Sequence, residues 1–300
     1  MWKKRGDPIF DCGELFRKKK SAGKNILRKK IKEEKIPRCQ ESYAHCGKRI
    51  CLYVQKNGFF RIGGKTLRKS EKCGIIGAMD LIKQYGERIK SGEESKKFAA
   101  FYALLSEYNE KFNLTRITGE EDCFVKHFLD SAAGEKYFPK GANVAEIGSG
   151  GGFPSVPLMI LRPDLTFTLV ESTGKKCSFL ERAVLELGLP ARVVNARAEE
   201  LAKKADFREK FDVCCARAVA RLNTLAEYCL PFVKPGGLFV AYKGKAEEET
   251  KEAEHAFSVL GGKTECAERY TLPEGEGERT LVVVRKVKNT PSAYPRGKGK

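Results

Sequence analysis

From residue 143 onward the chain alternates short apolar runs with segments whose apolar positions recur every three or four residues. Runs near 143–148, 166–170, 191–195, 211–216 and 237–242 read as strands, and the segments near 154–161, 174–187, 221–231 and 245–260 carry the helical period. Strands alternating with helices predict an α/β fold, a mostly parallel sheet covered by helices on both faces. After the last helix, 263–270 and 279–285 are two strands separated only by Leu272-Pro273 and a loop of Gly and Glu. With no room for a crossover helix, they are predicted to form an antiparallel edge pair that completes a seven-stranded sheet. Upstream, Leu81, Ile82, Tyr85 and Ile89, then Phe98, Phe101, Leu104, Leu105, Tyr108 and Phe112, recur at helical spacing. They predict a helical cap over 79–140, ahead of a sheet domain at 141–287 and a basic C-terminal tail at 288–300.

Residues 1–78 show no sustained period of either kind, and they hold the charge. They carry 22 Lys and Arg against 7 Asp and Glu, whereas 79–300 carry 35 against 32, within a net charge of +18. Two readings fit: a basic, disordered arm that adds affinity for RNA phosphates, or a misassigned start with translation beginning at Met79. The second is preferred, because the charge break and the onset of helical period coincide there. Three hundred residues suffice for one large domain or two modest ones.

Eleven cysteines form no C-x-x-C pair, and several sit in apolar runs such as Val213-Cys214-Cys215-Ala216. Buried, reduced thiols in a cytoplasmic protein explain them. Cys39, Cys46 and Cys51 with His45 match no common zinc module, so no metal is expected. No stretch approaches the roughly 20 apolar residues of a membrane span, and the start lacks the apolar core of a signal peptide.

The chemistry concentrates where the first predicted strand of the sheet ends. Val144 to Pro154 reads Val-Ala-Glu-Ile-Gly-Ser-Gly-Gly-Gly-Phe-Pro, a buried strand turning through glycines into a helix whose first turn suits Pro154. A dinucleotide fingerprint, G-x-G-x-x-G, fails because its third position is Phe153, and no Gly-Lys-Ser or Gly-Lys-Thr ends the loop to meet a triphosphate. The E-x-G-x-G-x-G spacing fits the loop that cradles the methionine and ribose of S-adenosylmethionine, with Gly148 and Gly150 at its centre. Glu171, about twenty residues on at the end of the second strand, is placed to accept both ribose hydroxyls. A glycine-rich turn that binds nothing is the plain alternative, and Glu171 counts against it.

Further strings converge with this loop: Asn113-Leu114-Thr115, His127-Phe128-Leu129-Asp130-Ser131, Glu171-Ser172 with Lys175-Lys176, Arg197-Ala198-Glu199, Arg217-Ala218-Val219-Ala220, Lys243-Gly244 and Tyr294-Pro295-Arg296. In this order, from about Met79 to the C-terminus, they resemble the RsmG (GidB) family, methyltransferases of guanine N7 in small-subunit (16S) ribosomal RNA. The resemblance implies a Rossmann-like class I methyltransferase fold. It also implies that Gly148 and Phe153 contact S-adenosylmethionine, that Ala198 and Glu199 flank its adenine and that Arg217 lies beside the site. Ser155 stands where the family usually has Gly, which leaves the helix packing there open.

The residues themselves support part of this. Ala198-Glu199 follows the third strand, at the carboxyl edge where open α/β sheets bind ligands, although a helix start with a dipole-friendly Glu is the plain reading. Arg217 follows the fourth strand and is the candidate for placing substrate and donor; the plain reading is a carboxylate-paired arginine. No Asn/Asp-Pro-Pro-Tyr and no Pro-Cys string is present, and N7 carries its own lone pair, so alignment suffices. Cys214 and Cys215 read as core. His127 and Asp130, three apart, either fix the cap against the sheet or help place substrate. Lys243 and Lys245 follow the fifth strand on the same rim; with Arg116, Lys126, His127, Arg221 and the C-terminal Arg296, Lys298 and Lys300 they are candidates to meet RNA. An extruded guanine near Phe153 is expected, and a monomer is favoured. A small-molecule methyltransferase of the same fold and a non-catalytic RNA-binding assembly factor are the alternative functions.

Overall fold

The computed structural model describes residues 53–54, 60–62, 65–67 and 83–297. The readings placed on 1–78, including Cys39, Cys46, Cys51 and His45, and those placed on Lys298 and Lys300 otherwise lie outside the described residues. Within the first segment, the short strands Tyr53–Val54, Phe60–Ile62 and Lys65–Leu67 pair antiparallel in sequence order.

The main sheet has seven strands: β1 (Asn143–Ile147), β2 (Thr166–Glu171), β3 (Ala191–Asn195), β4 (Phe211–Arg217), β5 (Val233–Lys243), β6 (Gly262–Thr271) and β7 (Glu278–Lys286). Their order is β3-β2-β1-β4-β5-β7-β6. The first five run parallel, and β7 pairs antiparallel with both β5 and β6, so the edge pair is present as the spacing predicts. The chain reverses direction across the sheet between β1 and β4. That switch point opens a crevice at the carboxyl ends of the strands, where open α/β sheets bind ligands.

Period-two alternation divides the core. Val213 and Cys215 face one side with Val144, whereas Cys214 and Ala216 face the other with Ala145 and Ile147, all at most 2 % exposed. On the first side lie α4 (Ser155–Leu161) and α5 (Gly174–Leu187), covered by the cap: α1 (residues 83–91), α2 (Ser95–Phe112) and α3, which starts at Glu120 and ends at Ala132. On the second lie α6 (Ala198–Leu201), α7 (Leu222–Cys229) and α8 (Glu247–Val259). Fully buried Phe101, Phe167, Phe179, Phe239 and Phe257 anchor the two cores, each contributing about 1.5–3 kcal/mol by leaving water.

Three details depart from the expected boundaries. β5 begins four residues early, because Pro235-Gly236-Gly237, which reads as a breaker, is absorbed as an irregularity where the pairing jumps from Phe211↔Val233 to Val213↔Leu238. α7 stops at Cys229, and Pro231 directs the next three residues into a 3-10 turn. Inside α3, Phe124–Leu129 widens into a π-helical turn between α-helical ends. No apolar period encodes that widening, and such turns recur at functional sites. Among the described residues, no helix is long and apolar enough to cross a membrane.

The C-terminal segment is docked where it is described. Arg208 donates to the carbonyls of Thr290 and Tyr294, and the fully buried Lys286 donates to Leu230 O at 2.7 Å beside Glu209. Burial lowers the Lys286 pKa to about 8.

Candidate functional site

The glycine loop is shaped by β1 and held by β2. The amides of Gly148 and Ser149 both donate to Val170 O, which pulls the loop across the tip of β2. Gly148 (φ 69°) and Gly152 (φ 80°) are left-handed and crowded: a Cβ on Gly148 would lie 2.6 Å from Val219 Cγ2, and one on Gly152 2.7 Å from Val156 Cγ2. Only glycine suits both positions. Pro154 precedes α4 as its N-cap residue rather than lying in its first turn.

Beneath the loop, Glu146 is fully buried. Its carboxylate accepts from Ser155 N at 3.2 Å and Ser155 Oγ at 2.6 Å, and burial raises its pKa to about 7. The serine at the family's usual glycine position therefore fits, and its hydroxyl satisfies a buried acid. The sequence offers Glu146 only as the first letter of the loop motif; its partner was not foreseen.

Glu171 ends β2 with 6 % of its surface exposed. One carboxylate oxygen accepts from Gly150 N at 3.0 Å and the other from Thr173 N at 2.8 Å. A carboxylate offers about four lone-pair positions, so two remain for a diol. The strand tip is rigid: Asn195 Nδ2 and Cys177 Sγ both donate to Glu171 O. Next to it a slot of about 150 Å³ is lined by Gly148, Ser172, Ala198, Glu199, Val219 and Tyr228. Ala198 and Glu199 line this slot, and Glu199 is itself held by Arg197 Nε at 2.9 Å. A glycine cradle, a half-satisfied carboxylate and an adjoining slot are of the kind that a methionine-linked nucleoside would fit. Val219 and Tyr228 are lining residues that spacing did not reveal.

Arg217 is the last residue of β4, and its guanidinium is clamped from the cap. Nη1 donates to Lys126 O at 3.2 Å and to Asp130 Oδ2 at 3.0 Å, Nη2 lies 2.7 Å from His127 Nδ1, and the group sits 4.8 Å from the Phe153 ring centroid. The His127 ring stacks on Phe153 with centroids 4.2 Å apart. Asp130 also accepts from Tyr270 OH at 2.8 Å, with Arg279 Nε at 3.7 Å. Arg217 is thus carboxylate-paired, the plain reading of it, and its side chain packs against Phe153 of the glycine loop. The same clamp ties the cap to the sheet through His127 and Asp130.

Two expectations need correction. His127 does not present itself to RNA: it is 7 % exposed, with burial and the nearby Arg217 and Arg279 lowering its pKa to about 3. Phe153 offers no open face to a base, being 6 % exposed and packed among Phe101, His127, Phe128 and Arg217.

The outer rim, over β4, β5 and β7, holds a cleft of about 910 Å³ with mixed charge. Lys243 donates to Ala220 O at 3.0 Å and pairs with Glu249 at 2.9 Å; Lys245 pairs with Glu278, Arg221 with Glu252 and Arg269 with Glu247. Lys126 is shared between Asp122 and Glu276, and Arg296 grips Glu227. Arg116 is exposed and forms no ion pair among the described residues. Cys214 and Cys215 are fully buried, and burial holds both thiols well above their usual pKa. No group of three or more potential metal ligands occurs among the described residues.

With this geometry in hand, comparison with known proteins is specific. The family described as rRNA small subunit methyltransferase G (GidB) matches residues 94–277. A protein of Lactobacillus johnsonii named ribosomal RNA small subunit methyltransferase G is 47% identical over 230 residues, 75% of this chain and 95% of that one. One of the same name from Brevibacillus brevis is 48% identical over 210 residues, 69% of this chain and 88% of that one. Among solved structures, cofactor-bound Rv0187 from MTB overlaps with a TM-score of 0.48 and 16% identity, over 69% of this chain and 97% of that one, too slight a likeness to speak to function. The glycine loop, Glu171 and Arg217 all fall inside the matched span, and at this level of identity the chain belongs to the rRNA small subunit methyltransferase G family.

Proposed function

We propose that the protein transfers a methyl group from S-adenosylmethionine to N7 of a guanine in 16S ribosomal RNA, in the cytoplasm. The cap over 79–140 and the sheet domain over 141–287 act together. The observation that carries the reading is the placement of the clamped Arg217, at the end of β4, against Phe153 of the glycine loop, on the same carboxyl edge of the sheet as Glu171.

Gly148, Gly150 and the backbone beside Phe153 would hold the methionine and ribose portion, Glu171 would accept from the ribose hydroxyls, and Ala198 and Glu199 would flank the adenine. When bound, the cofactor supplies a sulfonium methyl. Guanine N7 carries its own lone pair, so the residues around it would have no proton to remove for that methyl to be accepted. The chain's task is alignment and electrostatic matching. Three of the five N–H groups of Arg217 are committed to Lys126 O, Asp130 and His127, which leaves two for substrate. A donor aimed at N7 would occupy the reacting lone pair, so those two serve the O6 edge or the RNA backbone. Pairing with Asp130 also offsets the arginine's charge next to a base that becomes cationic.

The outer cations, Arg116, Lys126, Lys243, Lys245 and Arg296, meet RNA phosphates by exchanging a glutamate or aspartate partner where they have one. Incubation with isotopically labelled cofactor and small-subunit RNA, followed by nucleoside mass spectrometry, tests the reading. Label in 7-methylguanosine is expected; label in another nucleoside, or none, refutes it.

A further inference from the structure

We propose that His127 is a positioning residue for methyl transfer: it acts through Arg217, accepting a guanidinium N–H at Nδ1 while its ring stacks on Phe153. The cap helix, the glycine loop and the tip of β4 are thereby fixed in one arrangement. The inference rests on the methyltransferase reading and adds a role that Arg217 alone does not explain.

The hydrogen-bond pattern fixes the ring's state. A guanidinium has only donors, so Nδ1, 2.7 Å from Arg217 Nη2, is an acceptor and carries no proton. The 3.2 Å approach of Nδ1 to Lys126 O is then a contact and not a hydrogen bond. The proton sits on Nε2 and is donated to Thr115 Oγ1 at 2.8 Å. Thr115 Oγ1 in turn accepts from Ile117 N at 3.1 Å, which anchors the loop after α2. Thus the loop after α2, α3, the glycine loop and β4 meet on one imidazole. Arg217 and Arg279 face that ring, and Asp130 lies on the far side of Arg217. A protonated ring would present a donor to a donor and break the clamp.

The geometry also explains the π-helical turn of Phe124–Leu129. The widened turn brings Lys126 O, His127 Nδ1 and Asp130 Oδ2 to one guanidinium, three acceptors from within five residues. Lys126 O serves as one of them while its side chain points to Asp122 and Glu276. Removal of the imidazole acceptor would leave the arginine tethered only on its Nη1 side, free to swing at Nη2.

Two variants separate the acceptor from the ring. His127→Phe keeps an aromatic face for Phe153 and removes the acceptor; His127→Asn keeps an acceptor near the Nδ1 position and removes the ring. With small-subunit RNA, His127→Phe is expected to lower kcat by about 30-fold or more while KM for RNA and cofactor Kd move less than about threefold, the pattern of a group that acts in the transition state. His127→Asn is expected to recover roughly tenfold of that loss, and kcat of the parent enzyme to show no step near pH 6.5 attributable to this ring. In the parent protein, ¹⁵N spectra of labelled histidine are expected to contain one imidazole, absent from His127→Asn, with bare Nδ1 and protonated Nε2 from pH 5 to 8. The proposal is overturned if His127→Phe transfers methyl at the parent rate, if its loss lies wholly in KM, if His127→Asn recovers nothing while folded, or if the ring titrates near 6.5. Should His127→Phe fail to fold, the asparagine variant and the spectra still decide. A parent enzyme that methylates no RNA refutes the function itself, an outcome separate from all of these.

Discussion

Over β1, β2 and β3 the carboxyl rim of the sheet is made of backbone and the carboxylates of Glu171 and Glu199, whereas over β4, β5 and β7 it is made of cations already paired with carboxylates. In the first region Gly148, Gly150 and Gly152 set the path, Val170 O holds it, and Glu171 bridges loop and helix. In the second, Arg217, Lys243, Lys245, Arg221 and Arg269 each meet an Asp or Glu. In the proposed function the first is the receptor for one small ligand. The second is a compensated surface, so its electrostatics depend on pairing and not on the chain's net charge of +18.

The largest expected effect breaks the junction of the two regions. Arg217→Ala is expected to lower single-turnover transfer by about 100-fold or more, as loss of a positioned donor does. It is also expected to cost about 3 kcal/mol of stability, because Asp130, with its side chain 5% exposed, loses its closest cation. Denaturant titration checks the second part, and an unchanged midpoint would mean that Asp130 relies on Tyr270 and Arg279 alone. Within the receptor half, Glu171→Ala removes a charge-assisted acceptor and should weaken cofactor binding by about 1–3 kcal/mol, roughly 5- to 150-fold in Kd. Calorimetry giving the parent Kd would remove Glu171 from the site.

A pH series sharpens the contrast between the acid under the loop and the imidazole of the clamp. Glu146 has a folded pKa of about 7 against 4.5 unfolded, so its contribution is full below pH 4.5 and is lost as pH rises through 7. His127 has a folded pKa of about 3 against 6.5 unfolded, so its contribution is full above pH 6.5 and is lost as pH falls toward 3. Between about pH 5 and 6.5 the two slopes oppose, and nearly flat stability is expected from this pair. In His127→Asn the balance is gone, and stability should fall with rising pH by up to about 1.4 kcal/mol per pH unit across that window. A variant whose unfolding free energy stays level there would contradict the raised pKa of Glu146.

Smaller effects belong to the outer rim and the core. Arg116→Ala should weaken RNA binding and reduce the salt slope by about 1, whereas Lys245→Ala, whose lysine is already paired with Glu278, should change either by less. Equal losses in filter-binding titrations would show that pairing does not decide which cations engage. Cys214→Ser and Cys215→Ser should destabilise by about 1–3 kcal/mol through a buried hydroxyl, with transfer per folded molecule unchanged. An inactive but well-folded serine variant would bring a thiol into the mechanism.

What the sequence makes legible follows the same division. Strands and helices that repeat a period, and a loop whose glycines need left-handed dihedrals, are local properties, so β1 to β4, the antiparallel β6 and β7, Gly148 and Glu171 emerge before any coordinates. Ala198 and Glu199 lie after β3 as the strand spacing predicts, and their role beside an adenine is what the family resemblance implies. The clamp does not emerge, since it joins His127 to Arg217 across 90 residues and depends on a π-helical turn that leaves no mark on the apolar pattern. Ser155 under Glu146, Val219 over Gly148 and Tyr228 in the slot are likewise matters of tertiary contact. The carboxylate partners of Lys243 and Lys245 are not legible either, because spacing along a chain says nothing of the carboxylates opposite.

The most direct test of the central claim is to map N7-methylated guanines, by borohydride and aniline cleavage, in small-subunit RNA from cells that lack this protein. The same mapping then follows addition of purified protein and S-adenosylmethionine to that RNA or to its subunits. A guanine that is uncleaved without the protein and cleaved after treatment, with Arg217→Ala leaving it uncleaved, is the expected result. Cleavage already present without the protein, or none gained on treatment, would contradict it.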